Sequence, residues 1–403
     1  MPQAKAEPFR IRSLGLSVYL PTFLFAVGQG AVIPVIPLFA MGLGASVAVA
    51  GLIVSFRGLG TMLFDIPAGF LVSRFGERWA MVLGTATLAA VALGAAFSRS
   101  LWVFAVLVFA MGCAWSVWLL ARLTYVSDRA PVEVRGRVLS LLGGANRVGN
   151  FAGPLLGGIA GSAFGLEAAF YVQAGLVTLA SAVLFVLVRD DGGEIEAHTE
   201  PAFRRFVGVI TEHREVFATA GVATLALQIL RNARQAVIPL WGDQIGLGAA
   251  EIGIIFGASG AIDMLLFYPV GVVMDRWGRK WAGVPSLLLM AIGLLCVPVT
   301  HSFVPLLLAA LVGGCGNGLG SGIVMTLGAD FSPAAGRSEF LGVWRLIGDI
   351  GTFAGPGVVG VVAGATTLGI ASVAAGGLGI AGALLMAFCV EEPLRRAKRL
   401  RHL

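Results

Sequence analysis

Twelve apolar stretches of 19 residues or more alternate with short polar segments along the chain: 14–40, 51–72, 79–97, 101–121, 138–162, 167–188, 216–241, 252–274, 281–299, 303–328, 340–363 and 366–390. A helix rising about 1.5 Å per residue crosses a hydrocarbon core of roughly 30 Å in about 20 residues. The stretches lack the short period-two alternation of membrane β-barrel strands. The pattern therefore predicts an all-α polytopic membrane protein with 12 transmembrane helices. The first stretch follows Lys5, Arg10 and Arg12, is too long for a signal h-region and precedes no small-residue cleavage site, so it is expected to be retained.

Within the fifth stretch, Gly149-Asn-Phe-Ala-Gly-Pro-Leu-Leu-Gly-Gly158 places glycines and a proline where a helix interior tolerates them least. A close copy, Gly351-Thr-Phe-Ala-Gly-Pro-Gly-Val-Val-Gly360, returns 202 residues later. The same displacement lays Gly69–Gly76 on Gly271–Gly278, Pro67 on Pro269, Gly112-Cys113 on Gly314-Cys315, and Asp128 and Arg135 on Asp330 and Arg337. One constant offset across six stretches predicts two pseudo-symmetric six-helix bundles. The expected organisation is 1–188 as the first bundle, 189–215 as a cytoplasmic linker, 216–390 as the second bundle and 391–403 as a basic cytoplasmic tail. In the linker, Phe203, Phe206, Val207 and Ile210 lie opposite Arg204 and Arg205, as in a short helix resting on the membrane surface. Parallel repeats of this kind place a substrate site between them near mid-membrane.

Composition agrees: 57% of the 403 residues are hydrophobic and 12% charged, against about a quarter charged in soluble domains. Of the 28 Lys and Arg, 22 fall in the tails and the loops on one side and only Arg99 falls between spans on the other. This asymmetry predicts both termini in the cytoplasm and a bacterial plasma (inner) membrane location. The net charge of +6 is then topology rather than nucleic-acid binding. Cys113, Cys296, Cys315 and Cys389 are isolated in apolar stretches, and His198, His213, His301 and His402 lie far apart in loops. No metal spacing, nucleophile–base pair or Gly-x-x-x-x-Gly-Lys-Ser/Thr nucleotide loop occurs, so no enzyme, cofactor or direct ATP coupling is expected.

The loop Gly271-Val-Val-Met-Asp275-Arg276-Trp-Gly278-Arg279-Lys280 resembles the motif between helices 2 and 3 of a half in major facilitator superfamily (MFS) transporters, and the resemblance covers essentially the whole chain. Gly271 is expected to allow close helix approach there. The first-half counterpart, Gly69 to Arg78 with Arg74 and Gly76, has Ser73 where the acid belongs, which weakens an electrostatic latch. Gly30-Ala-Val-Ile-Pro34-Val-Ile-Pro37 and the string containing Gly149, Gly153, Pro154, Gly157 and Gly158 resemble motifs of the 12-helix drug:proton antiporter branch. That branch also implies a buried Arg in helix 4. Here Val108 to Trp118 carries none.

Eight ionisable residues fall within the spans: Arg57, Asp65, Arg147, Arg231, Arg234, Asp263, Arg345 and Asp349. Each costs at least about 2.5–3.5 kcal/mol at a helix centre, so each needs a partner or a watery cavity. In the family's architecture helix 2 faces helix 11 and helix 5 faces helix 8. Matching depths then predict three gating pairs, Arg147–Asp263, Asp65–Arg345 and Arg57–Asp349, whose acids are proton carriers, Asp263 foremost. Arg231 and Arg234 have no acid at matching depth and are expected to meet a substrate anion, or Asp243 and carbonyls near the rim. Gln29, Trp115, Trp118 and Asn317, with Tyr19, are the other expected substrate contacts. Gly149, Gly153 and Gly157 share one helix face and are expected to form a sliding surface between the halves. The leading expectation is a monomeric, proton-coupled exporter of amphipathic organic compounds working by alternating access in the bilayer. The alternatives are an exporter or flippase of an anionic metabolite or lipid, and a nutrient importer.

Overall fold

A computed structural model describes residues 15–188, 208–333 and 336–393. The predicted surface helix around Phe203 and Phe206, the N-terminal cations and the basic tail from 394 onward lie outside the described residues. Helix is the only regular structure among those described.

The first stretch is two helices, α1 (Leu20–Val32) and α2 (Val35–Gly42). They part at Ile33-Pro34, where proline has no N–H to continue the ladder. The second and third stretches join in α3 (Val47–Phe97), 51 residues long, with non-helical angles only at Gly76 (φ 77°, ψ 163°). Next come α4 (Leu101–Arg129), α5 (Val132–Phe164) and α6 (Glu167–Leu187). The second set comprises α7 (Val222–Gln244), α8 (Ala249–Arg276), α9 (Lys280–Cys296), α10 (Phe303–Leu319), α11 (Ile323–Phe331), α12 (Arg337–Ala365) and α13 (Leu368–Phe388). Among the described residues, ten helical runs are long and apolar enough to cross a membrane. The difference from twelve has two sources: α3 holds two expected spans, and α5, diluted by glycines, Asn150 and Pro154, is not among the ten.

The sequence offset reappears in backbone geometry. Gly44 and Gly246, 202 residues apart, both end a helix at positive φ (90° and 83°), as Gly76 and Gly278 (77° and 117°) do at the opposite, predicted cytoplasmic end.

In lipid, apolar burial does not draw helices together, so close backbone approach at small residues matters more. A Cβ added to Gly149 or Gly157 would strike Ala26 or Ala31 of α1, and one on Gly153 would lie 2.5 Å from the Val27 carbonyl. The Gly149–Gly153–Gly157 stripe therefore seals α5 onto α1 within the first set, and the expected sliding surface between halves is corrected accordingly. The neighbouring face makes contact between the sets: Gly158 is turned about 100° around the helix axis from Gly157, and a Cβ there would sit 2.6 Å from the Ala249 carbonyl of α8. The copy behaves alike. Gly351 and Gly355 abut α7, while Gly360 meets Ala48 and Leu52 of α3. Gly271 disappoints its expectation, since a Cβ there would meet nothing within 4 Å.

Candidate functional site: a cationic cavity between the two helix sets

The broken α1–α2 helix, α3, α4, α7 and α12 enclose a cavity of about 280 Å³. Ile33, Ile36, Val54 and Pro356 give it apolar walls, and Trp115 adds an aromatic face. Arg57, Thr61, Gln228, Arg231, Asn232, Gln235, Asp349 and Thr352 supply polar groups. The cavity thus has the mixed lining of a small-molecule site.

Among the described residues, two ion pairs cross between the sets. Arg147 of α5 donates to Asp263 of α8 at 2.8 Å, and its guanidinium lies 4.0 Å from the Phe267 ring centroid. Ser321 donates to the other Asp263 oxygen at 3.0 Å. Arg345 of α12 makes a two-pronged contact with Asp65 of α3, Nε to Oδ2 at 2.8 Å and Nη2 to Oδ1 at 2.9 Å. Ser116 of α4 donates to Asp65 as well.

The third expected pair does not form. Asp349 instead lies 3.7 Å from Arg345, one helical turn before it on the same face. Arg57 lines the same cavity as Asp349 yet has no ion pair among the described residues. Its guanidinium sits 5.9 Å from the Trp115 ring centroid. The correction follows from geometry: Arg345 is on the helix that carries Asp349 and reaches it first.

Arg231 is satisfied by neutral acceptors, Asn317 Oδ1 at 2.6 Å, Gln228 Oε1 at 2.9 Å and the Gly320 carbonyl at 3.4 Å. Arg234 donates to Ser259 at 2.9 Å, off the cavity lining. Neither meets Asp243. Asn317 is thus a support for Arg231 rather than part of the wall. Trp118 is fully buried and stacks on Phe25 at 5.0 Å, and Gln29 is buried with its Nε2 unpaired, so neither lines the cavity. The Tyr19 hydroxyl is likewise buried without a hydrogen bond.

Sequence reasoning missed Gln228, Asn232 and Gln235. With Arg231 they form a polar face at helical spacing on an otherwise apolar helix, and that periodicity was the available signal. It also missed Arg122. Because α4 runs on to Arg129, Arg122 lies on the helix, buried at 4% exposure against Trp118 and Thr22.

At the predicted cytoplasmic end, Arg279 donates to Asp330 at 2.7 Å and to the Met274 carbonyl at 2.9 Å. Asp275 is mostly exposed and 3.9 Å from Arg279, while Arg276 and Arg74 are exposed. Gly278 is buried against Glu392, whose carboxylate accepts the Arg279 and Lys280 backbone N–H groups. The first set latches after all: Glu77, the equivalent of Arg279 by the offset, accepts from Arg129 at 2.8 Å. The polarity is reversed, and burial pushes the Glu77 carboxyl above the usual range, with neighbouring Asp128 adding to the rise and Arg129 opposing it.

A family model described as Major Facilitator Superfamily matches residues 18–234 and 220–403. The chain belongs to the Major Facilitator Superfamily. It is accordingly a multi-pass membrane protein from a family of transporters. An uncharacterized MFS-type transporter of Methanocaldococcus jannaschii is 20% identical over 358 residues, covering 88% of this chain and 92% of that protein. Multidrug resistance protein MdtG of Salmonella paratyphi B is 26% identical over 190 residues, 44% of this chain and about half (47%) of that protein's length. The nucleoside transporter NupG superposes with a TM-score of 0.76 at 14% identity, covering 94% of this chain and 100% of that one. A D-xylose-proton symporter gives 0.74 at 16%, covering 95% and 98%. These structural likenesses establish the fold.

Proposed function

We propose that this superfamily member is a secondary transporter whose central cavity carries an amphipathic organic anion by alternating access between two six-helix bundles, in a bacterial inner membrane with both termini cytoplasmic. The observation that carries this reading is charge balance. Among the described residues Arg57 and Arg231 line the cavity with no carboxylate ion pair, against a single lining carboxylate, Asp349, that already lies beside Arg345. A guanidinium held in a low-dielectric wall attracts an anion strongly. Trp115 and the aliphatic wall suit the apolar part of such a molecule. The cross-set pairs Arg147–Asp263 and Asp65–Arg345 serve as gating contacts, broken and remade as the bundles rock, with protons as the coupling ion.

The proteoliposome test compares uptake of a sulfonated and a quaternary-ammonium amphiphile. The sulfonate is expected to be transported, with uptake lowered at least about tenfold by Arg231→Gln or Arg57→Gln, the loss of one buried charged contact. Transport of the cationic amphiphile alone would defeat the proposal. A second reading, proton-coupled multidrug export, draws on the partial likeness to MdtG and on the glycine-proline string of α5. The same experiment separates the two.

A further inference from the structure

Arg122 of α4 is a buried cation that no carboxylate meets among the described residues. It is 4% exposed, and its one hydrogen bond is a long one, to the Thr22 hydroxyl oxygen at 3.5 Å, while its Nε has no acceptor. A guanidinium offers five N–H donors. The Thr22 proton is spent elsewhere, on the Val18 carbonyl at 2.7 Å. The two α3 carboxylates that touch α4 are engaged away from Arg122: Asp65 by Ser116 and Arg345, and Glu77 by Arg129. Two more donors are stranded nearby. The indole N–H of Trp118, whose ring centroid lies 5.4 Å from the Arg122 guanidinium carbon, is buried without an acceptor. So is the Tyr19 hydroxyl, one turn before Thr22. Buried polar groups are paired with few exceptions, and a charge held away from water needs a counter-charge. We propose that Arg122 is the centre of a binding site for a compact inorganic anion, of halide size, separate from the central cavity.

Position separates this site from the cavity. Helix α4 ends at Arg129, so Arg122 lies about 10 Å in from the predicted cytoplasmic end. Phe25, fully buried, stands between Arg122 and the cavity wall, its ring centroid 5.0 Å from Trp118 and 5.4 Å from Trp115. Trp115 lines the cavity, whereas Phe25, Trp118 and Arg122 do not. Enclosure limits the size of the ligand. Thr22, Phe25, Trp118 and Tyr125, one turn further along α4, are all buried, so an organic tail finds no open surface to lie on. A compact anion accepts from the guanidinium and from the stranded donors together, and in a low-dielectric surrounding its attraction to the weakly hydrated guanidinium is strong. The bound ion then holds α1 to α4 directly behind the aromatic wall of the cavity. An ion that binds the folded chain and not the unfolded one stabilises it by mass action. The site stands whether or not the cavity carries an anion.

Bromide is the probe, because it quenches tryptophan emission on contact. The purified full chain in detergent micelles, dialysed into sodium gluconate, is titrated with sodium bromide at constant sodium concentration, gluconate being too large for the site. Two signals are expected in the wild type. One is a saturable component of quenching, on top of the linear collisional quenching of the exposed Trp79, Trp102, Trp277 and Trp281. The other is a thermal midpoint that rises with bromide along the same saturation curve. Trp118→Phe keeps the aromatic face and loses one donor, so it should lose the saturable quenching and keep the midpoint rise at weaker affinity. Arg122→Gln should lose both signals. In gluconate it should unfold no earlier than the wild type, since it removes an unmatched buried charge, and that separates loss of the site from a folding defect. Arg57→Gln and Arg231→Gln should leave both signals in place. Absence of both signals in the wild type, or their persistence in Arg122→Gln, overturns the site. Signals that survive Arg122→Gln and vanish in Arg57→Gln or Arg231→Gln would put the ion in the cavity, sinking this site while leaving the anionic reading of the cavity standing.

Discussion

Arg147 and Asp263 were legible as partners from depth alone, because each charge in a helix interior needs an opposite charge or water. Arg57 and Asp349 were matched by the same logic and failed, because depth along a helix says nothing about which neighbour a flexible guanidinium reaches first. The pair that did form gives a test at this scale. Arg147 and Asp263 are both largely buried, with side chains 18% and 13% exposed. Removing one partner of such a pair strands the other and costs about 3–5 kcal/mol, whereas removing both costs far less. Arg147→Ala or Asp263→Ala alone should therefore lower the thermal midpoint in detergent markedly, and the double variant should recover much of the loss. Equal, additive losses from both singles would mean the contact contributes nothing.

Among the elements, α3 shows how one residue sets a helix boundary that hydropathy sees only as a dip. Gly76, with φ 77° and ψ 163°, occupies a region that residues with a Cβ essentially avoid. Gly76→Ala is expected to destabilise the fold by about 1–3 kcal/mol, read as earlier unfolding by intrinsic fluorescence. Gly69→Ala is the control: a Cβ there makes only an ordinary 3.8 Å contact with Leu120, so its midpoint should change little. The latch at Glu77 belongs to the same scale. The sequence pointed at position 73, where an acid was missing, yet the ion pair forms from position 77 because Arg129 ends α4 beside it.

Over the whole molecule, close backbone contacts between the sets include Gly51 with Gly360 and Gly253 with Gly158, both toward the end opposite Gly76. A Cβ on Gly357 of α12 would lie 3.7 Å from the Cβ of Ser55 of α3, so two cysteines there are close enough to bridge. Ser55→Cys combined with Gly357→Cys, in a background with the four native cysteines replaced, should stop transport under oxidation and recover it with reductant. Unimpaired transport in the oxidised, fully cross-linked protein would show that α3 and α12 need not part at that end, against the rocking proposed here.

Local chemistry and spacing in the sequence determined the apolar helices, the 202-residue echo, the loop glycines and the need of each membrane-embedded charge for a partner. Those properties are set by what a stretch of chain requires wherever it is placed. Tertiary structure alone decided that the Gly149–Gly157 stripe faces α1 while Gly158 faces α8, that Arg345 gathers two carboxylates, and that Arg57 and Arg231 are left lining a cavity. Each depends on the rotation of one helix against another, and a shift of a single residue turns a side chain by about 100° around the helix axis. Hydropathy is blind to that angle, and the angle decides which charges meet.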